Sequence, residues 1–100
     1  MTIRSKAMDQ LFHSILNLQT VEECYDYFED LCTIKEVQDM AQRLEAARLL
    51  SEGMSYQKIA EQTEMSTATI GRVSRCLHYG SGGYQTALER LKTAGSKSGK

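Results

Sequence analysis

Apolar residues return every three or four positions along most of the chain. Met8, Leu11, Phe12, Ile15 and Leu16 keep that spacing and predict a first amphipathic helix over about residues 4–18. Thr20, with Glu23 three residues on, forms a capping-box pattern that opens a second helix. Its apolar face carries Val21, Cys24, Tyr25, Phe28, Leu31 and Cys32. The opposite face holds Glu22, Glu23, Asp26, Glu29 and Asp30, a solvated face rather than a cation site. Thr33 and Glu36 repeat the box, and a long third helix is expected to reach about Glu52, with Ile34, Val37, Met40, Leu44 and Ala47 inward. Gly53 stands where a left-handed residue would end it.

The stretch SYQKIAEQTEMSTATIGRVSR, residues 55–75, then supplies two short helices around a turn. A flexible break follows at Tyr79-Gly80-Ser81-Gly82-Gly83-Tyr84, where Tyr84, Ala87, Leu88 and Leu91 begin a short last helix over 84–94. Residues 95–100 are small, polar and basic, and are expected to be disordered. No strand-like alternation longer than a few residues and no internal repeat is visible, so the fold class is all-α. Residues 1–94 read as one helical domain: the N-terminal helices over 1–32, the long helix over 33–54, the hairpin over 55–78 and the last helix.

Composition narrows the picture. A chain of 100 residues with 41% hydrophobic and 25% charged content suits one ordinary domain. At this size only about 60–65% of the unfolded surface is buried, which leaves a lone monomer marginal. There is no proline, in keeping with uninterrupted helices. The net charge of −1 conceals a split: residues 1–50 hold 5 Lys/Arg against 9 Asp/Glu, and residues 51–100 hold 7 against 4. A surface for nucleic acid therefore belongs in the second half. Cys24, Cys32 and Cys76 are an odd number on apolar stripes, expected to be small buried hydrophobes in a reducing compartment. The N-terminus lacks a signal-peptide core and no apolar run nears about 18 residues, so a soluble cytoplasmic protein without membrane contact is expected.

Residues 55–78 have the character of a helix-turn-helix. Ser55 can cap the first helix, Ile59 points inward, and Ala60 is small enough for a close crossing. Met65 is the apolar residue past the turn, Ser66 caps the second helix, and Ile70, Val73 and Leu77 form its buried stripe. Glu64 occupies the turn position usually given to glycine, at a cost of about 1 kcal/mol. If the second helix enters a major groove, Thr67 and Ala68 are small enough to approach base edges and thymine methyls. Gly71 would let the backbone come close. Ser66, Thr69, Gln57 and Lys58 would hold phosphates, and Arg72 and Arg75 would meet guanine or phosphate. The competing reading is a helical interaction module that uses the same hairpin to bind a protein.

Other chemistry is thin. His13 and His78 lie on separate helices with no ligand at metal spacing, so no metal is expected. No nucleophile sits in a recognisable turn, which argues against an enzyme, and no cofactor motif is present. Gly80-Ser81-Gly82-Gly83 lacks the Lys-Ser/Thr ending of a phosphate loop and reads as a hinge.

From Leu31 to Leu91 the chain resembles the Trp repressor family, through LCTIKEVQDMAQRLEAARLLSEGMSYQKIAEQTEMSTATIGRVSRCL, with ATIGR and LL…GMS its firmest points. The string CLHYGSGGY is similar to the YerC/YecD-type branch of that family. The resemblance implies a six-helix fold in an intertwined homodimer, two helix-turn-helix units facing successive major grooves of a double-stranded operator, and a repressor. It also implies a small-molecule corepressor pocket, with Arg72 as one of two clasping arginines. Arg43 is the other, beside Thr33, if counted from LCT with a one-residue deletion before Met54; without the deletion Gln42 takes that place. The chain departs from the pattern at Val73, where a small glycine is expected, and at Cys76, where a pocket serine is expected. Val73 would take up the room of a flat ring, which puts tryptophan in doubt as the effector.

Overall fold

All but the last helix of this protein begin where a side-chain oxygen takes over a free backbone N–H. The computed structural model describes residues 2–97, in six helices. They are α1 (Lys6–Leu16), α2 (Val21–Leu31), α3 (Ile34–Ser51), α4 (Tyr56–Thr63), α5 (Thr67–Tyr79) and α6 (Gly83–Lys97). No strand occurs among the described residues, so the all-α reading stands. The chain divides between Val37 and Gln38 into two compact units.

In the first unit, Ser5 accepts from the Met8 N–H at 3.0 Å and Thr20 from the Glu23 N–H at 3.1 Å. The Glu23 carboxylate accepts from Gln19 at 2.7 Å, one residue earlier than a strict capping box would have it. Thr33 and Glu36 make the full box: the Glu36 N–H donates to Thr33 Oγ1 at 3.1 Å and the Thr33 N–H to Glu36 Oε1 at 2.8 Å. Ser14 and the Tyr27 hydroxyl, 2.6 Å apart, join α1 to α2.

The apolar stripes of this region are present but uncovered. No residue of α1 or α2 is buried. Leu16 is 77% exposed and Val21 72%. Ile34 and Met40, expected inward, are 76% and 42% exposed. Cys24 and Cys76 are exposed and Cys32 half-buried, contrary to the burial expected from their stripes, and all three are free thiols. Periodicity sets which face of a helix is apolar, whereas covering that face takes another element.

The second unit has a core. Ala46, Ala47 and Leu49 of α3 pack with Ile59, Met65, Ile70, Val73, Leu77 and Leu88. Helix α5 packs against both α4 and α6. The C-terminus of α3 closes as a Schellman motif: Gly53 has φ +89°, its N–H donates to the Leu50 carbonyl at 3.0 Å, and the Met54 N–H donates to Leu49 at 3.1 Å. Met54 packs against the core beside it.

Three boundaries differ from the sequence reading. Tyr79 ends α5 and Gly83 opens α6, so the glycine break shrinks to residues 80–82. Helix α6 runs past residue 94 to Lys97. The rest of the expected tail, 98–100, lies outside the described residues.

Candidate nucleic-acid interface

The hairpin is built by local hydrogen bonds. Ser55 accepts from the Lys58 N–H at 3.2 Å and starts α4. At the other end Thr63 Oγ1 donates to the Ile59 carbonyl at 2.7 Å and accepts from the Met65 N–H at 3.2 Å. Glu64 then adopts φ +62°, the left-handed conformation expected there, and its N–H donates to the Ala60 carbonyl at 2.9 Å. This reverses the chain and drops Met65 into the core. Ser66 accepts from the Thr69 N–H at 3.1 Å and its hydroxyl donates to Thr69 Oγ1 at 2.9 Å. Gln42 of α3 secures the turn by donating to the Thr63 carbonyl at 3.3 Å.

With the turn set, the rotation of α5 follows. Ile70, Val73 and Leu77 are buried, as expected, and Ser74 is buried with them. Thr67, Ala68, Arg72 and Arg75 are exposed, and Gly71 is half-buried. At about 100° per residue, Ala68, Arg72, Arg75 and Tyr79 fall on one stripe opposite the buried one. Gln57 and Lys58 are exposed on the first turn of α4.

Helix α5 carries two arginines and no carboxylate. Among the described residues neither arginine has an ion-pair partner. Arg48 on α3 is the contrast. It binds Glu45 at 2.7 Å and Glu52 at 2.9 Å, with all three side chains about half exposed. The hydrogen bond from Arg48 holds the Glu45 carboxyl below its ordinary range, and the guanidinium's own pKa is raised by that bond. Arg48 is neutralised by carboxylates a turn away in sequence, whereas Arg72 and Arg75 have no such partner among the described residues. The first unit has a groove of about 420 Å³ lined by Ser14, Leu18, Glu23, Asp26, Tyr27 and Asp30. Its three carboxylates give it the wrong sign for a polyanion.

The expected effector residues divide between the units. Thr33 lies in the first, its hydroxyl occupied by the capping box. Arg43, Arg72 and Cys76 lie in the second and are exposed, and among the described residues no hydrogen bond or ion pair joins them. Gln42, the other candidate for the place of Arg43, is engaged with Thr63. Val73 is only 3% exposed within the core. His78 Nδ1 lies 2.9 Å from the Ser74 carbonyl oxygen and closes the last turn of α5. Among the described residues no cluster of His, Cys, Asp and Glu has metal-site geometry, and no helix is long and apolar enough to cross a membrane.

One residue of this surface escapes sequence reading. Tyr56, the first residue of α4, lays its ring against α5 at Gly71 and remains 43% exposed. The available signal was an aromatic directly after the N-cap of the first hairpin helix, ahead of a lone glycine inside the second.

Comparison with known proteins agrees with this architecture. The family described as Trp repressor protein matches residues 6–92. YerC of Bacillus subtilis (strain 168) is 56% identical over 96 residues, which cover 96% of this chain and 92% of that protein. The crystal structure of a proposed Trp repressor from Staphylococcus aureus superposes with a TM-score of 0.86 at 43% identity, covering 90% of each chain. A TrpR-like protein from Eubacterium eligens ATCC 27750 also has a TM-score of 0.86, at 49% identity, covering 90% of this chain and 93% of that one.

Proposed function

This chain belongs to the Trp repressor family, and we propose that it is a cytoplasmic, dimeric, sequence-specific DNA-binding regulator that acts as a repressor. The observation that carries the reading is the outward face of α5. It is small at its N-terminal end, carries Arg72 and Arg75 beyond it and is free of carboxylates, and a capped turn holds it at a defined angle to α4. The N-terminal end of such a helix enters a major groove, where Thr67 and Ala68 face base edges. Gln57, Lys58, Ser66, Thr69, Arg72 and Arg75 take the phosphates and fix register, and Gly71 allows close approach.

Residues 55–80 have a net charge of only +1, so a single hairpin holds DNA weakly. Two copies supply the rest. The uncovered apolar faces of α1, α2 and the start of α3 suit a second copy of the chain, which would bury Leu16, Val21, Tyr25 and Ile34. Tryptophan is not the effector in the manner the resemblance implies, because Val73 fills core space at the position where that pocket needs a small residue.

Selection of genomic fragments by the purified protein, followed by gel shift across a salt series, tests the proposal. Binding should fall steeply with salt and be lost on Thr67→Glu. A glutamate in the first turn of a helix favours the macrodipole, so that variant should keep its fold. An intact dimer that retains no fragment at low salt would refute the DNA reading and favour a protein partner for the hairpin.

A further inference from the structure

We infer that Tyr56 is a DNA-contacting residue seated on Gly71, its ring resting on α5 while its hydroxyl donates to a backbone phosphate oxygen at the groove edge. The inference rests on the DNA-binding reading and adds to it a neutral anchor at the joint between the two hairpin helices.

Three observations converge on it. The first is position. Tyr56 opens α4 immediately after the Ser55 cap, and the N-terminal turn of a first hairpin helix lies beside the sugar-phosphate backbone. Lys58 is exposed in the same turn.

The second is the glycine beneath it. A Cβ on Gly71 would meet a single atom outside its own helix backbone within 4 Å, Tyr56 Cε2 at 3.7 Å, which is ordinary van der Waals contact. Gly80 differs: a Cβ there would come within 2.4 Å of the Cys76 carbonyl oxygen. The fold therefore demands glycine at Gly80 and not at Gly71. A glycine inside a helix that the fold does not demand is a cost without a folding return. An alanine there would leave the ring where it is and any longer side chain would displace it, so a short residue at this position is what keeps Tyr56 against α5.

The third is the unused hydroxyl. Tyr56 is an aromatic left 43% exposed by the core, and among the described residues its hydroxyl makes no hydrogen bond. A phenol O–H is a donor and a phosphate oxygen is purely an acceptor, so the two match without displacing any intramolecular contact. Because tyrosine is neutral, this contact releases no counterion, which separates it from Lys58, Arg72 and Arg75.

The test uses fluorescence anisotropy with a genomic fragment selected by the wild-type protein, over a salt series, together with melting curves. Tyr56→Phe keeps the ring and removes only the donor. It should weaken binding about tenfold at every salt concentration, leave the slope of log K against log salt unchanged, and melt with the wild type. Gly71→Leu, which displaces the ring, should lose at least as much while remaining folded. Phenylalanine binding as tightly as tyrosine would overturn the inference and leave the DNA reading intact, as would an affinity loss that merely tracks a lowered melting temperature. A wild-type protein that binds no fragment would remove both.

Discussion

Gly71→Ala separates what the fold requires from what the proposed interface requires. Replacing glycine by alanine inside a helix recovers about 0.8–1 kcal/mol of propensity wherever the backbone is helical and the methyl has room. Both conditions hold. Gly71 lies in the second turn of α5, and its new Cβ would touch only Tyr56 Cε2 at 3.7 Å. For a domain of this size, that gain raises the melting temperature by about 4–8 °C. Gly80→Ala is the matched control. Its Cβ would fall 2.4 Å from the Cys76 carbonyl oxygen and 3.1 Å from the carbon behind it. Helix backbone cannot yield as a side chain can, so a loss in the range of about 1–3 kcal/mol is expected. Both variants should be melted by circular dichroism at one fixed protein concentration, since dimerisation makes the midpoint depend on concentration. Operator affinity should move against stability for Gly71→Ala, because the added methyl stands beside the Tyr56 ring at the edge of the proposed interface. A Gly71→Ala protein that melts below the wild type would refute the packing argument, and one that is stabilised and binds DNA unchanged would remove Gly71 from the interface.

Further outcomes follow from the same geometry. Glu64→Gly relieves a left-handed non-glycine residue and should raise denaturation stability by about 1 kcal/mol; a decrease would show that the Glu64 side chain contributes something its backbone conformation does not reveal. Isothermal calorimetry with L-tryptophan should give no saturable heat, and micromolar binding that disappears in Arg72→Ala would overturn the reading of Val73. Leu16→Glu and Ile34→Glu place charge on highly exposed aliphatic positions of the first unit, and light scattering should find a smaller species if those faces hold a second copy. NMR titration should find the Glu45 carboxyl below its ordinary range in the wild type and back within it in Arg48→Ala. The sign is that of a depressed carboxylate: its contribution to stability is complete above the unfolded pKa and is lost as pH falls through the lowered folded value. With both side chains about half exposed the loss should be small, and a steep acid transition removed by Arg48→Ala would contradict that.

Local chemistry made much of this protein legible in its sequence. Caps at Thr20, Thr33, Ser55 and Ser66, the left-handed ends at Gly53 and Glu64, and the buried stripe Ile70, Val73, Leu77 each depend on residues within a few positions of one another. Spacing and side-chain type therefore sufficed to predict them. The outward set of the hairpin followed from the same periodicity. What depended on packing across the chain could not be read that way. Ile34 and Met40 lie on apolar stripes yet face outward, and the three cysteines escape burial, because periodicity sets the apolar side of a helix and only a neighbouring element covers it. The glycine-rich break contracted to three residues because α5 and α6 continue through its flanks, with Gln85 Nε2 donating to the Leu77 carbonyl at 2.9 Å. Tyr56 on Gly71 is the plainest case. The two residues are 15 positions apart on different helices, and only the crossing of α4 and α5 brings ring and glycine together. Sequence determined the hairpin and its outward face; tertiary structure decided which aromatic side chain joins that face, because the angle between two helices is a property of their contact and of neither helix alone.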